Sequence, residues 1–268
     1  MFIVFDIGAT STRIAKSQNG KSLDVVQKYP TPRDYQEALN KLKETITALA
    51  DNKSISKISG GQTGQINSQA KTSHHNGALK LWSGYNLTQD LKNIFGCPVH
   101  IINDAAAAAL GEAYFGAGKT YESFFYYTIS TGIGGAWIKH KKIIAGIQHN
   151  SEPGHQILDV EKWSSMEDLI SGTALHGEQE FISTPQSNQT DWINMKEKLI
   201  AGLFNTACHW PSQAIILGGG VTLSGAIPID ELEQELQSKL NIIQQSPVIK
   251  KAELGDNAGL WGALSLLH

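Results

Sequence analysis

Strands alternating with helices predict an α/β protein built as two halves of similar plan. Two observations carry that expectation. A short apolar strand, a glycine-bearing turn and a second strand open the chain as FIVFDIGATSTRIAKS, and the same succession recurs as SFFYYTISTGIGGAWIKHKKII from Ser123. No low-complexity linker separates the halves, so they are expected to pack around a cleft rather than to be strung apart. With 268 residues, 41% of them hydrophobic, there is material for one large domain or two medium ones.

Taken in order, FIVF is a short apolar strand, Gly8 permits a tight turn, and TRIAKS alternates. A third strand is expected around LDVVQKY. From Pro32 the period becomes helical, placing Tyr35, Ala38, Leu42, Ile46 and Leu49 on one stripe. KISGGQTGQIN reads as a strand entering a glycine-rich loop, CPVHIIN as a buried strand, and DAAAAALGEAYFGAG as an alanine-rich helix with Asp104 as its N-cap. Further helices are expected over 164–180 and 192–208. AIILGGGV is strand then turn, DELEQELQSKLN an amphipathic helix, and DNAGLWGALSLL a last helix whose small residues suit close packing.

The bulk numbers exclude several classes. A net charge of -3 gives no basic footprint for nucleic acid. The two cysteines, Cys97 and Cys208, are too few for a disulfide framework or a cysteine-rich zinc site and read as buried small hydrophobes. MFIVFDIG has no basic leader and is not a signal peptide, and no apolar run approaches the roughly 20 residues that cross a bilayer. The chain is expected to be soluble and cytoplasmic, with no membrane or nucleic-acid partner.

Three glycine-rich turns follow strands: Asp6–Thr10 (DIGAT), Thr131–Gly135 (TGIGG) and Leu217–Gly220 (LGGG). Glycine lets backbone N–H groups approach an anion. None matches the Walker A pattern, and none is a GxGxxG opening a helix. Singly, each is ordinary hairpin chemistry; the set of three, flanked by Asp and Thr, suits phosphate. Asp6 at a strand end suits Mg²⁺ held through water, or simply opens the turn by bonding its own backbone. Capping alone accounts for Asp104, yet a carboxylate at a helix N-terminus stays ionised, as accepting a hydroxyl proton requires. Asn103 beside it offers a donor and an acceptor to a sugar hydroxyl. Glu152 and His155 in SEPGH suit metal ligation, substrate binding or a plain loop. His74 and His75 read as a solvated loop, His100 as part of a strand, and His140 and His149 as turn residues, with KHKK at 139–142 as a hairpin tip.

In this order, DIGAT, NDAAAAALGE, TGIGG, EPGH, SGTAL, LGGGV and LGDNAGLWGA make the chain resemble the ROK family (repressors, open reading frames and sugar kinases) from residue 3 to residue 263. The resemblance implies the actin-like, ribonuclease H-like α/β fold in two domains with an interdomain cleft, here 1–103 with the C-terminal helix 256–268, and 104–255. It implies an ATP-dependent kinase acting on a hexose or N-acetylhexosamine, usually at C6, with Mg²⁺. Asp104 falls on the general base and Asn103 on its sugar-binding partner. Asp6, Gly8 and Thr10 fall on the first phosphate turn, with Asp6 near Mg²⁺. Thr131, Gly132 and Gly134 match the second phosphate turn, and Gly218 and Gly219 the turn beside the nucleoside. Glu152, His155 and Glu167 match sugar-contacting positions, and Gly64 and Gln65 the loop near the sugar's C2 substituent. Glucose, mannose, fructose and the two N-acetylated sugars N-acetylmannosamine and N-acetylglucosamine all suit such a site, and the donor is ATP or polyphosphate. Family members are often homodimers.

Two departures stand out. The family's DIGGTK is DIGATS here, with Ala9 for a glycine and Ser11 for a lysine. Most members follow ExGH with CxCGxxGC, whose thiolates bind zinc together with the histidine; here QILDVEKWSSMED follows, without cysteine, so no zinc site is expected. The alternative within the family is a catalytically weak or inactive sugar-binding regulator. The family's repressors carry a helix-turn-helix ahead of the first turn, which begins here at residue 6. A third reading, an actin-like structural ATPase, would leave Glu152, His155 and Glu167 without a purpose.

Overall fold

Among the residues described by a computed structural model (1–67, 69–75, 77–146, 151–177 and 184–267), two five-stranded sheets share one strand order. The chain divides into two compact units, Met1–Tyr114 with Ala145–Asn150 and Asn257–His268, and Phe115–Ile144 with Ser151–Asp256.

In the first unit, β1 (Phe2–Ile7), β2 (Ser11–Ser17) and β3 (Val26–Pro30) form an antiparallel meander. Helix α1 (Tyr35–Ala50) follows, with Asp34 accepting from Glu37 N as N-cap and Asp51 ending it in the left-handed region. All five residues of the expected stripe are buried. Truncating Leu42 or Ile46 to Ala would cost about 2–5 kcal/mol. β4 (Lys57–Gln62) lies parallel to β1. The short pair β5 (Gln65–Ile66) and β6 (Ser73–His74), a 3-10 turn at Gly77–Trp82 and α2 (Leu87–Phe95) lead to β7 (Val99–Asn103), parallel to β4. β7 is the sheet's edge, so only Val99 and Ile101 are buried and His100 is exposed, in place of the fully buried strand expected. His75 also departs from its expected solvated loop: it is buried against Gln62 and Ser73. Helix α3 (Asp104–Phe115) closes this stretch.

The second unit repeats the plan. β8 (Ser123–Ile129) pairs antiparallel with β9 (Ile133–Lys139), which pairs with β10 (Lys142–Ile144) across a tip where His140 and Lys141 both have positive φ. A 3-10 turn (Pro153–His155) precedes the small hairpin of β11 (Ile157–Asp159) and β12 (Ser164–Ser165). The single helix expected over 164–180 is broken. α4 (Met166–Ile170) and α5 (Gly172–His176) meet at Ser171, whose backbone is extended and whose hydroxyl caps α5; residues 178–180, like His149, lie outside the described residues. α6 (Pro185–His209) starts earlier than the expected 192, where Thr184 and Ser187 form a capping box ahead of Pro at the first position. Cys208 on α6 is exposed, not buried as expected; Cys97 is buried. β13 (Ala214–Gly218), parallel to β8, opens the short α7 (Gly220–Leu223); α8 (Ile229–Lys239) and β14 (Val248–Lys251), parallel to β13, complete the sheet. Phe125, Tyr127, Ile215 and Leu217 pack with Met195, Leu199 and Leu203 of α6 as this unit's core.

A 3-10 turn (Gly255–Asn257) and α9 (Ala258–Ser265) return to the first unit, packing on β1 and β4. Ser59 Oγ donates to Ala263 O at 2.6 Å. No helix among the described residues is long and apolar enough to cross a membrane.

Candidate active site

In the first unit the candidate residues gather at the ends of β1, β4 and β7. Gly8 N donates to Ser11 O at 3.0 Å and closes the β1–β2 turn. Thr31 braces that turn, donating to Gly8 O at 2.8 Å through its hydroxyl and to Thr10 O at 3.0 Å through its N–H, a support that sequence reading missed. Ala9 does not lie among the positive-φ residues, so replacing the family's glycine brings no backbone strain. Ser11 Oγ accepts from the Arg13 guanidinium at 3.2 Å.

Asp6 is half-buried, and its carboxylate lies against the N-terminus of α9. A Cβ on Gly259 would sit 2.5 and 2.7 Å from its two oxygens, so only glycine allows this approach. The helix terminus favours the ionised carboxylate. One ionised carboxylate oxygen donor at a strand end suits Mg²⁺, which takes one or two carboxylates and completes its shell with water and phosphate.

Asp104, expected as the cap of α3, is instead its first residue. The capping bond comes from Asn103, whose Oδ1 accepts from Ala106 N at 3.0 Å. Either residue type caps well; the helix begins at Asp104 itself, which leaves the cap position to Asn103, the last residue of β7. Asp104 Oδ1 accepts from Ala105 N at 2.9 Å and from Asn103 Nδ2 at 3.1 Å. Asn103 Nδ2 also donates to Gly64 O at 3.0 Å, which ties Gly64 to the start of α3. Gly64 has φ +92° and faces the His75 ring; Gln65 follows in β5. Burial, with a lesser push from His74, lowers His75 to about 4, so the ring is neutral. Gly61 lets Asp6 and Asp104 converge: a Cβ there would be 3.1 Å from Asp104 Cα and 3.3 Å from Asp6 Oδ1.

In the second unit TGIGG links β8 to β9 and is held from two sides. Glu167, in the first turn of α4, accepts from Ile133 N at 2.5 Å, and a Cβ on Gly132 would be 2.6 Å from its Oε2. Gly172 N donates to Ser130 O at 2.6 Å, and Thr173 donates to Thr131 O through its N–H and hydroxyl at 3.2 and 2.8 Å. Gly134 lies in β9 opposite Thr128. Pro153 and Gly154 of EPGH are buried against Gly135 and Ile133 of that strand. Glu152 is half-buried and His155 exposed. The hydroxyl and N–H of Ser165 hold Asp168 below the usual carboxylate range, and the nearby His155 adds to this. Gly218 packs under the Tyr126 ring, and Gly219 (φ +85°) backs onto Ile129, so packing alone demands both glycines.

The residues around His155 do not suit zinc. Gln156, Tyr127, Asn205 and Thr206 surround the base of its turn with an amide, a phenol, a second amide and a hydroxyl, where a structural zinc site needs thiolates and imidazoles. This cluster was not legible in the sequence.

The glucokinase of Streptomyces coelicolor is 25% identical to this chain over 303 residues, covering 97% of the chain and 95% of that protein. The xylose repressor of Bacillus subtilis is 25% identical over 209 residues, 69% of this chain and 54% of the repressor. Among solved structures, a ROK family glucokinase from Streptomyces griseus in complex with glucose and AMPPNP superposes with a TM-score of 0.84 at 23% identity, over 99% of this chain and 98% of that one. The fold is that of the actin-like ATPases. The family match runs over residues 2–268, and the chain belongs to the ROK family.

Proposed function

We propose that this chain is an ATP-dependent sugar kinase that transfers the γ-phosphoryl group to a hydroxyl, at C6, of a hexose or N-acetylhexosamine. The observation that carries the reading is Asp104: Asn103 caps α3 in its stead, while Ala105 N and Asn103 Nδ2 fix one of its carboxylate oxygens. A carboxylate held this way at a helix start remains ionised and oriented to take a hydroxyl proton. The glucokinase relative supports the same reading.

Phosphoryl transfer asks for positioning and charge neutralisation, with one base for the acceptor. Asp104 takes the proton as the sugar oxygen attacks the γ-phosphorus and the bond to ADP breaks. Gly8, Thr10, Thr131, Gly132 and Gly134 turn backbone and hydroxyl donors to the phosphates, and Gly218 and Gly219 lie beside the nucleoside. Asp6 would hold Mg²⁺ through water, and the bound ion neutralises charge on the β- and γ-phosphates. Glu152, His155 and Glu167 bind sugar hydroxyls, Asn103 offers its Oδ1, and the Gly64–Gln65 loop faces the C2 substituent.

A second reading, a sugar-binding regulator with little or no turnover, is favoured by Ser11, which replaces the family's lysine and is engaged by Arg13, and by the similarity to a repressor. A coupled ADP-release assay over glucose, mannose, fructose, N-acetylmannosamine and N-acetylglucosamine separates the two. Sugar-dependent ADP formation identifies a kinase. Sugar binding without ADP identifies the regulator, and neither response removes both readings.

A further inference from the structure

Beside the packing of Pro153 and Gly154 on β9, one side chain hydrogen-bonds the turn that carries Glu152 and His155 to its unit's core. Gln156 Nε2 donates to Pro153 O at 2.9 Å and to Tyr127 Oη at 3.3 Å, and Gln156 Oε1 accepts from Asn205 Nδ2 at 3.1 Å. The proton directions follow by elimination. Thr206 donates to Gly202 O at 2.9 Å, so in its 2.5 Å bond with Tyr127 it accepts. Tyr127 therefore donates to Thr206 and accepts from Gln156. The amide hydrogens of Gln156 thus serve Pro153 O and Tyr127 Oη, with Met166 Sδ at 3.5 Å as a third and weaker acceptor, and its carbonyl oxygen has a donor of its own. Burial pushes the Tyr127 phenol up to about 12, so it stays protonated. Gln156 reaches Glu167 as well: its backbone carbonyl accepts from Met166 N at 2.9 Å, one residue earlier in the chain.

From this geometry we infer that Gln156 is a positioning residue, whose side chain orients Glu152 and His155 through Pro153 and the Tyr127–Thr206–Asn205 network. Neutral hydrogen bonds perform here the cross-linking that the resemblance assigns to zinc in cysteine-bearing members. Such a network is rigid only when every partner is satisfied. Replacing one donor by an acceptor therefore disorders the turn without emptying the volume. The inference rests on the sugar-kinase reading for the role of Glu152 and His155, but not for their coupling to Gln156.

The test is Gln156→Glu, which keeps the shape and sets a carboxylate against Pro153 O. Sugar and ATP KM, kcat and the melting temperature are measured, with parallel titrations of glucose, mannose, fructose, N-acetylmannosamine and N-acetylglucosamine against tryptophan fluorescence. We expect the sugar KM and the sugar dissociation constant to rise about tenfold, the loss of one to two hydrogen bonds, with ATP KM changed less than about twofold. Tyr127→Phe, which removes one hydroxyl, should shift the same constants less and covers the case in which Q156E fails to fold. Equal sugar binding in wild type and variants overturns the inference, as does a parallel rise in both KM values with a falling melting temperature. Stoichiometric zinc bound through His155 also overturns it. Wild type that binds sugar without turnover removes the kinase reading only, and the titrations still decide this one. A wild type that binds none of the five sugars removes both.

Discussion

Asn103 and Asp104 divide two tasks at the start of α3: Asn103 Oδ1 accepts from Ala106 N at 3.0 Å, and its Nδ2 donates to Asp104 Oδ1 at 3.1 Å. Asn103→Ala removes both contacts and the tie to Gly64. Loss of the cap should cost about 1 kcal/mol of stability, read as a lower urea midpoint. Turnover should fall as well, because the base loses an orienting donor. A variant with an unchanged midpoint would show that the cap is dispensable.

Asp104→Asn keeps the size and hydrogen-bonding capacity of the residue but removes the proton acceptor. In the kinase reading kcat falls by about 10²–10⁴-fold, while the sugar dissociation constant stays within about threefold of wild type. Near-wild-type turnover would remove Asp104 from the role of base.

Glu167 and Gly132 form a steric and hydrogen-bonded pair across the TGIGG turn. A methyl on residue 132 has to displace the end of Glu167, which breaks its bond to Ile133 N. Gly132→Ala and Glu167→Ala should therefore raise ATP KM to similar degrees, Glu167→Ala raising the sugar KM besides, and the double variant should raise ATP KM no more than the worse single one. Additive effects would mean that the two residues act separately.

Gly259 sets two tendencies against each other. In a helix Ala is favoured over Gly by about 1 kcal/mol, whereas a methyl here meets the Asp6 carboxylate. Forced overpacking costs about 1–3 kcal/mol, so Gly259→Ala should lower the melting temperature. In an Asp6→Ala background the same change should raise it. The same sign in both backgrounds would contradict the contact.

His75 titrates near 4 in the folded chain and near its ordinary 6.5 when unfolded. Between those values the unfolded chain binds the proton first. The stabilisation from keeping the ring neutral is complete above 6.5 and is lost as pH falls toward 4. The melting temperature should drop across that window, and His75→Gln should flatten the drop; equal slopes would exclude His75 as its source.

Much of the fold was legible because it is locally encoded. The α1 stripe, the β1–β2 turn and the KHKK hairpin tip each depend on residues a few positions apart. What was not legible depends on distant partners. The break at Ser171 follows from Gly172 N bonding Ser130 O, and the burial of His75 from Gln62. Asn103 caps α3 because the helix begins at Asp104, which residue type alone does not decide. At the candidate site the glycine turns and carboxylates were readable as motifs. Gln156 was not, since its partners Tyr127 and Asn205 lie 29 and 49 residues away.

The helix that shields Asp6 is made after every segment of the other unit. Synthesis delivers β1, β4 and α3 early, yet the packing on β1 and β4 is complete only when α9 arrives. The segments of the other unit, Phe115–Ile144 and Ser151–Asp256, are all complete before that point. At roughly 5–20 residues per second, the nascent chain carries an unfinished first unit while its second can already fold. Of the two units, the one begun first is the second to be completed.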